Sequence, residues 1–228
     1  MFTAMVIAML TAVTVWWLLI RQLREKPWTT QGVLPTSQDG VTSSAPKVGL
    51  WVFLAVVSSL FGLFASAYVM RMHGHGGLVS WQRLDEPSIL WVNTLVLVLA
   101  SGALQIARNR IDKDQLEHAR AHFAAGGLLT VLFLVGQVLA WGQANANGTL
   151  GPSSPAYSFF VLLTAVHGLH LVGGLLVLGR TGVHLFSGAE RSNVAVRAQI
   201  RLSVQLCTTY WHWLLLIWLG LFALLLST

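Results

Sequence analysis

Three histidines, His167, His170 and His212, stand out as residues that could do chemistry, because each falls inside a long apolar stretch of the chain. An ionisable group at membrane depth is costly and marks a partner, a pathway or a cofactor. His167 and His170 are three residues apart, so on a helix they leave one face about 60° from each other. His212 lies near the middle of the last apolar stretch, in Tyr210-Trp211-His212-Trp213. One chemistry open to this set is haem ligation, with an axial imidazole from each of two facing helices. A single haem between His167 or His170 and His212 is geometrically possible; two haems would need four ligands. The other reading is that neutral imidazoles bond between helices or meet a lipid headgroup.

A zinc or copper site fits less well. His167 and His170 have no carboxylate or thiol at ligand spacing, and Cys207 is about one and a half turns from His212. His73 and His75 lie in the glycine-rich run Met72-His73-Gly74-His75-Gly76, where solvated loop imidazoles are the default. Cys207 is the one cysteine, which excludes an internal disulfide and any cysteine-based metal cluster. No Ser–His–Asp order, H-E-x-x-H or phosphate loop occurs. Catalysis by the chain alone is not expected.

The elements that must position these groups are written in the composition. Of 228 residues, 55% are apolar and only 10% charged, against about 25% charged in a soluble domain. The chain therefore reads as an integral membrane protein. Crossing ~30 Å of hydrocarbon takes about 20 helical residues. Six stretches qualify, at 2–20, 48–70, 89–107, 123–141, 159–178 and 204–226, and none holds an Asp, Glu, Lys or Arg. That emptiness argues against a proton or ion relay, which buries charged groups. Length argues for helices over barrel strands.

The first stretch has no basic residue before it and ends in Trp16-Trp17, followed by Arg21, Arg24 and Lys26. It reads as an uncleaved anchor, not a signal peptide. Loops 21–47, 108–122 and 179–203 together hold 12 Lys and Arg, while the alternate connections hold only Arg71 and Arg83. Positive charge stays on the cytoplasmic side, so both termini are expected outside. The pI near 10.3 reflects this layout and not a nucleic-acid surface. Residues 29–46, rich in Thr, Ser, Pro and Gly, read as a flexible cytoplasmic linker between the first helix and a five-helix body (47–228), anchor and linker together making up 1–46. Asn147-Gly148-Thr149 matches a glycosylation sequon and carries little weight.

Small residues suggest close helix packing. Ser58, Gly62 and Ser66 recur every four residues, and Gly168, Gly173 and Gly174 thin the fifth stretch.

From Lys47 onward the stretches carry recognisable words in order. These are Gly49-Leu50-Trp51-Val52-Phe53-Leu54, Leu60-Phe61-Gly62-Leu63-Phe64 with Tyr68, Asn93-Thr94-Leu95-Val96-Leu97, Gly136-Gln137 with Trp141, the run 159–174 around His167-Gly168-Leu169-His170, and Tyr210-Trp211-His212 with Trp218. In this order over about 180 residues they resemble subunit III of the haem–copper oxidases; residues 1–46 fall outside the resemblance. The resemblance implies a subunit of a terminal respiratory oxidase with five helices forming the shared body; with the added stretch at 2–20 the chain is expected to be an all-α, six-helix protein of the bacterial plasma membrane. It implies no haem, copper or other metal in this chain, those residing in partner subunits I and II. It also implies phospholipid held in a cleft between helices, and contact with subunit I; further respiratory supercomplex subunits are candidate partners.

His167, His170, Trp211 and His212, with Trp51 and Arg191, are the candidates for lipid or polar contacts. The sequence departs from the family at three acidic positions: Val57, Gln205 and Leu215 stand where an acid is common. A proton-antenna role that rests on those acids is therefore not expected. A b-type cytochrome anchor with His-ligated haem is the alternative function.

Overall fold

A lone apolar segment in hydrocarbon can satisfy its backbone only as a helix, because no water is there to bond the N–H and C=O groups. The computed structural model describes residues 44–73, 88–146, 155–187 and 194–227, and there the chain is helical apart from short turns. The elements are α1 (Ser44–His73), α2 (Ile89–Asp112), α3 (Leu116–Ala146), α4 (Pro155–Phe186) and α5 (Val194–Leu226). All five are long and apolar enough to cross a membrane. The expected stretch at 2–20, residues 29–43 of the expected linker, His75, the sequon and Arg191 lie outside the described residues, while residues 44–46, read as linker, already belong to α1.

Each helix runs beyond its apolar stretch. α3 has 31 residues and α5 has 33, so both exceed the ~20 needed for hydrocarbon. The loops expected at 108–122 and 179–203 are correspondingly shorter than the charge pattern suggested. Arg108 and Arg110 ride on the last turns of α2, Arg120 on the second turn of α3, Arg180 on α4, and Arg197 and Arg201 on α5. Hydropathy detects where the hydrocarbon is, whereas a helix continues until its backbone meets a stop.

The stop after α2 is a Schellman turn. The amide of Gln115 donates to Arg110 O (2.9 Å) and that of Asp114 to Ile111 O (3.0 Å), with Asp114 left-handed at φ 56°. Arg201 of α5 grips this turn through Asp114 Oδ1 (3.1 Å) and Ile111 O (3.2 Å). Arg120 Nε donates to Leu185 O (2.9 Å), capping the end of α4 with a cation.

Helices α2, α3, α4 and α5 form a ring of neighbours, each packed on the next, and α1 lies outside it against α4 and α5. Sequence neighbours run antiparallel, so Lys47, Arg108, Arg110, Lys113, Arg120, Arg180, Arg197 and Arg201 gather at one end of the bundle. The outer faces stay apolar, with Leu128 71% and Leu176 73% exposed, as a lipid-facing surface requires.

Lipid is as apolar as leucine, so association between these helices rests on close packing and hydrogen bonds. Four indoles make such bonds. Trp211 Nε1 of α5 donates to Thr130 Oγ1 of α3 (2.9 Å), and Trp218 Nε1 to Thr94 Oγ1 of α2 (2.9 Å). Trp213 Nε1 donates to Ser58 Oγ of α1 (3.2 Å), and Trp141 Nε1 of α3 to Thr164 Oγ1 of α4 (2.9 Å). Every one of these hydroxyls spends its own proton on the carbonyl four residues back, at Gly126, Leu90, Leu54 and Phe160. Its lone pair is thus aimed at the indole. α5 is tied in this way to α1, α2 and α3.

Packing is closest at two glycines. A Cβ added at Gly136 would overlap the Asn93 amide of α2. One added at Gly174 would lie 2.6 Å from Tyr210 Cε1 and 2.9 Å from Trp211 Cη2. Gly174 therefore lets the Tyr210 ring lie on α4, where its hydroxyl donates to His170 O (2.9 Å). Of the small-residue face expected on α1, Ser58 is half-buried and meets Trp213 of α5. Gly62 and Ser66 are exposed, and α1 buries Leu54, Val57, Phe61 and Tyr68 instead. Gly173 likewise has nothing within 4 Å of an added Cβ.

Candidate functional site

The three intramembrane histidines occupy three different environments. His212 of α5 is half-buried beside α2: its Nε2 is 2.9 Å from Gln105 Oε1 and its Nδ1 is 2.5 Å from Ser101 Oγ. A carboxamide oxygen only accepts, so Nε2 carries the proton and Nδ1 takes the serine hydroxyl. Gln105 Nε2 passes the chain on to Asn109 Oδ1 (3.0 Å). Both ring nitrogens are thereby committed. His170 of α4 is half-buried, with Nδ1 2.7 Å from Val166 O and its ring 5.4 Å from that of Phe61. His167 is wholly buried among Phe61, Phe133 and Trp218 at centroid separations of 6.3, 6.0 and 5.2 Å.

His170 borders an apolar groove. The groove, of about 510 Å³, lies between α1, α4 and α5, walled by Leu50 and Phe53, by His170, Gly173 and Val177, and by Leu206, Tyr210 and Trp211. The small side of α4 opens this space: Gly173 leaves volume where a larger side chain would fill it. The groove runs from mid-depth towards the basic end of the bundle. There Val177, Thr181 and Ser203 also border a second, more polar recess of about 240 Å³ holding Arg180, His184 and Gln199.

Of the residues singled out from sequence, His170, Trp211, Gly173 and Gly174 meet at this groove. His167 and His212 do not line it. Trp51 is on the outer side of α1, 44% exposed, and Gly168 packs near Leu134. Arg180 and His184 were not anticipated as site residues. Their signal was available, since on a helix four residues apart share a face, and both follow the apolar run that ends at Leu178. Among the described residues no three His, Cys, Asp or Glu side chains come together as a metal site would require.

This arrangement is an apolar slot with a cationic mouth. It suits a molecule with long apolar chains and an anionic head, and it presents no nucleophile paired with a base.

No protein-family model matches the chain. Among individual proteins, it is 31% identical over 187 residues to "Probable cytochrome c oxidase subunit 3" of Mycobacterium tuberculosis, covering 78% of this chain and 86% of that one. It is 30% identical over 182 residues to cytochrome c oxidase subunit 3 of Thermostichus vulcanus, with 78% and 85% covered. To the cytochrome bo(3) ubiquinol oxidase subunit 3 of Pseudomonas aeruginosa it is 26% identical over 175 residues, with 76% and 80% covered. With five helices among the described residues long and apolar enough to cross a membrane, and likeness along most of its length, this multi-pass membrane chain belongs to the subunit III family of the haem–copper oxidases.

Proposed function

We propose that the chain is the structural subunit III of a bacterial terminal oxidase, with no catalytic centre of its own. It braces subunit I and holds phospholipid, while oxygen reduction, electron transfer and proton pumping run on the haem and copper of subunits I and II. The electron donor is cytochrome c, the reading favoured by relatives named for that oxidase at the higher identities. The observation that carries the proposal is the groove of about 510 Å³, with apolar walls and a recess holding Arg180 and His184 at one end. Acyl chains match the walls, and a phosphate matches the guanidinium.

The chain lies in the plasma membrane with six spans and both termini outside. The added helix at 2–20 and the linker at 29–46 precede the five-helix body, and the basic end of the bundle faces the cytoplasm. Further supercomplex subunits are partners of the same kind. Val57, Gln205 and Leu215, in place of acids, make proton delivery by this chain no part of its role. The alternative of a haem-bearing cytochrome anchor is disfavoured by His212, whose two nitrogens already serve Ser101 and Gln105.

Lipid analysis of the purified oxidase tests this. Replacing Arg180 and His184 by Gln, or filling the groove with Gly173→Phe, should lower the phospholipid retained per complex. Haem spectra should stay unchanged. Unaltered lipid content in both variants would remove the lipid-holding role. Oxygen consumption or a Soret band from the isolated subunit would remove the structural one.

A further inference from the structure

His167 is the one intramembrane histidine with no partner among the described residues. It is 0% exposed, and neither ring nitrogen has a protein atom within hydrogen-bonding reach. A neutral imidazole always carries one donor and one acceptor, so both are left unmet whichever tautomer is present. Two further buried side chains share the condition. Gln137 of α3, 2% exposed, has both amide atoms unpartnered, and Asn93 of α2, 3% exposed, has its amide nitrogen unpartnered. Buried polar groups in folded proteins are bonded with few exceptions. Five orphaned atoms on three adjacent helices need one explanation.

The register of the helices places these groups close together. Phe133 of α3 meets the His167 ring, and Trp141 of α3 bonds Thr164, one turn before His167 on α4. Gln137 is one turn from each of Phe133 and Trp141, so it shares their face and looks onto α4 between Thr164 and His167. Asn93 lies against Gly136, the residue before Gln137. Its neighbour Thr94 takes the indole of Trp218, whose ring lies 5.2 Å from that of His167.

What could satisfy them is narrowly bounded. The site is sealed, so neither lipid headgroups nor a partner subunit can reach it. An N–H directed at the face of the near-perpendicular Phe133 ring would be a weak bond and would still leave the other nitrogen bare. The missing partner must be small, and it must both donate and accept. We propose that His167 and Gln137, with Asn93 beside them, hold internal water between α2, α3 and α4. Water gives two protons and takes two, which matches a set of acceptors and donors drawn from an imidazole and two carboxamides. It lies apart from the lipid groove and does not depend on what that groove binds.

A density map of the intact oxidase at a resolution that shows ordered water decides the matter. The expected result is a peak within ~3.2 Å of a His167 ring nitrogen and of the Gln137 amide. A map with no such peak, or with Gln137 turned to bond His167 directly, overturns the proposal. Thermal melting of the complex adds a second reading. His167→Phe and Gln137→Leu should each lower the melting temperature, because each strands the water and the surviving partner. The double variant should recover part of that loss. Two single variants that each melt at or above the unaltered protein would also overturn it.

Discussion

The indole–hydroxyl tie between Trp211 and Thr130 gives the sharpest stability test. Thr130→Val keeps the shape of the side chain and removes the acceptor. Trp211 is 1% exposed and Thr130 0%, so the indole N–H loses its partner where no water can replace it. The edge of the ring lies close against Gly174, two of its atoms 2.9 and 3.1 Å from where a Cβ there would stand, so it has little room to move towards α4. The carbonyl of Gly126 also loses the threonine proton but keeps its helical amide. An orphaned buried donor costs about 1–3 kcal/mol. Interhelical bonds measured in membranes average about 0.6 and reach about 1.7 kcal/mol, since the unfolded chain finds partners too. The expected loss is therefore roughly 1–2 kcal/mol, about a tenfold change in the unfolding equilibrium at the middle of that range. Detergent-titrated unfolding, followed by tryptophan fluorescence, measures it. Pairing Thr130→Val with Trp211→Phe in a double-mutant cycle separates the bond from the packing lost with the indole. A coupling below ~0.3 kcal/mol, within the scatter expected of independent sites, would refute the account of α5 as a hydrogen-bonded hub.

Other outcomes follow from the same packing. Gly174→Ala should destabilise by about 1–3 kcal/mol because its Cβ meets Tyr210 and Trp211, whereas Gly173→Ala one residue earlier, with nothing within 4 Å, should be near neutral; equal effects in the same titration would contradict the observed rotation of α4. Gly136→Ala should cost a similar amount by driving Asn93 off α3, and Asn93→Ala in the same chain should restore part of it. Arg201→Gln should cost less than ~1 kcal/mol, because its ion pairs with Asp112 and Asp114 are partly exposed, and the loss should shrink as salt is raised. Lys113→Cys should react with an impermeant thiol reagent only from the cytoplasmic side; the native Cys207, 4% exposed, gives a low background. Labelling of intact cells from outside would reverse the proposed orientation.

The amino-acid sequence alone carried the membrane class, the places of the five described helices and the separation of charge between their ends. Those properties are local: a run of about 20 apolar residues must be a helix in hydrocarbon whatever surrounds it. The family words in order pointed to the same assembly that the relatives did. Rotation of each helix about its axis was not readable in this way. In a membrane bundle the inner and outer faces are both apolar, so Leu163, fully buried, and Leu169, 69% exposed, look alike along the chain. For that reason His167, His170 and His212 seemed equivalent until tertiary contacts gave one a sealed cage, one a groove wall and one a serine–glutamine clasp. The same rotation decided that Gly174, and not Gly173, takes the close approach of α5. It also turned Arg180 and His184 into the mouth of the groove. Polar pairing across helices is a property of three dimensions, since each bond joins residues 23 to 155 positions apart in the indole ties alone.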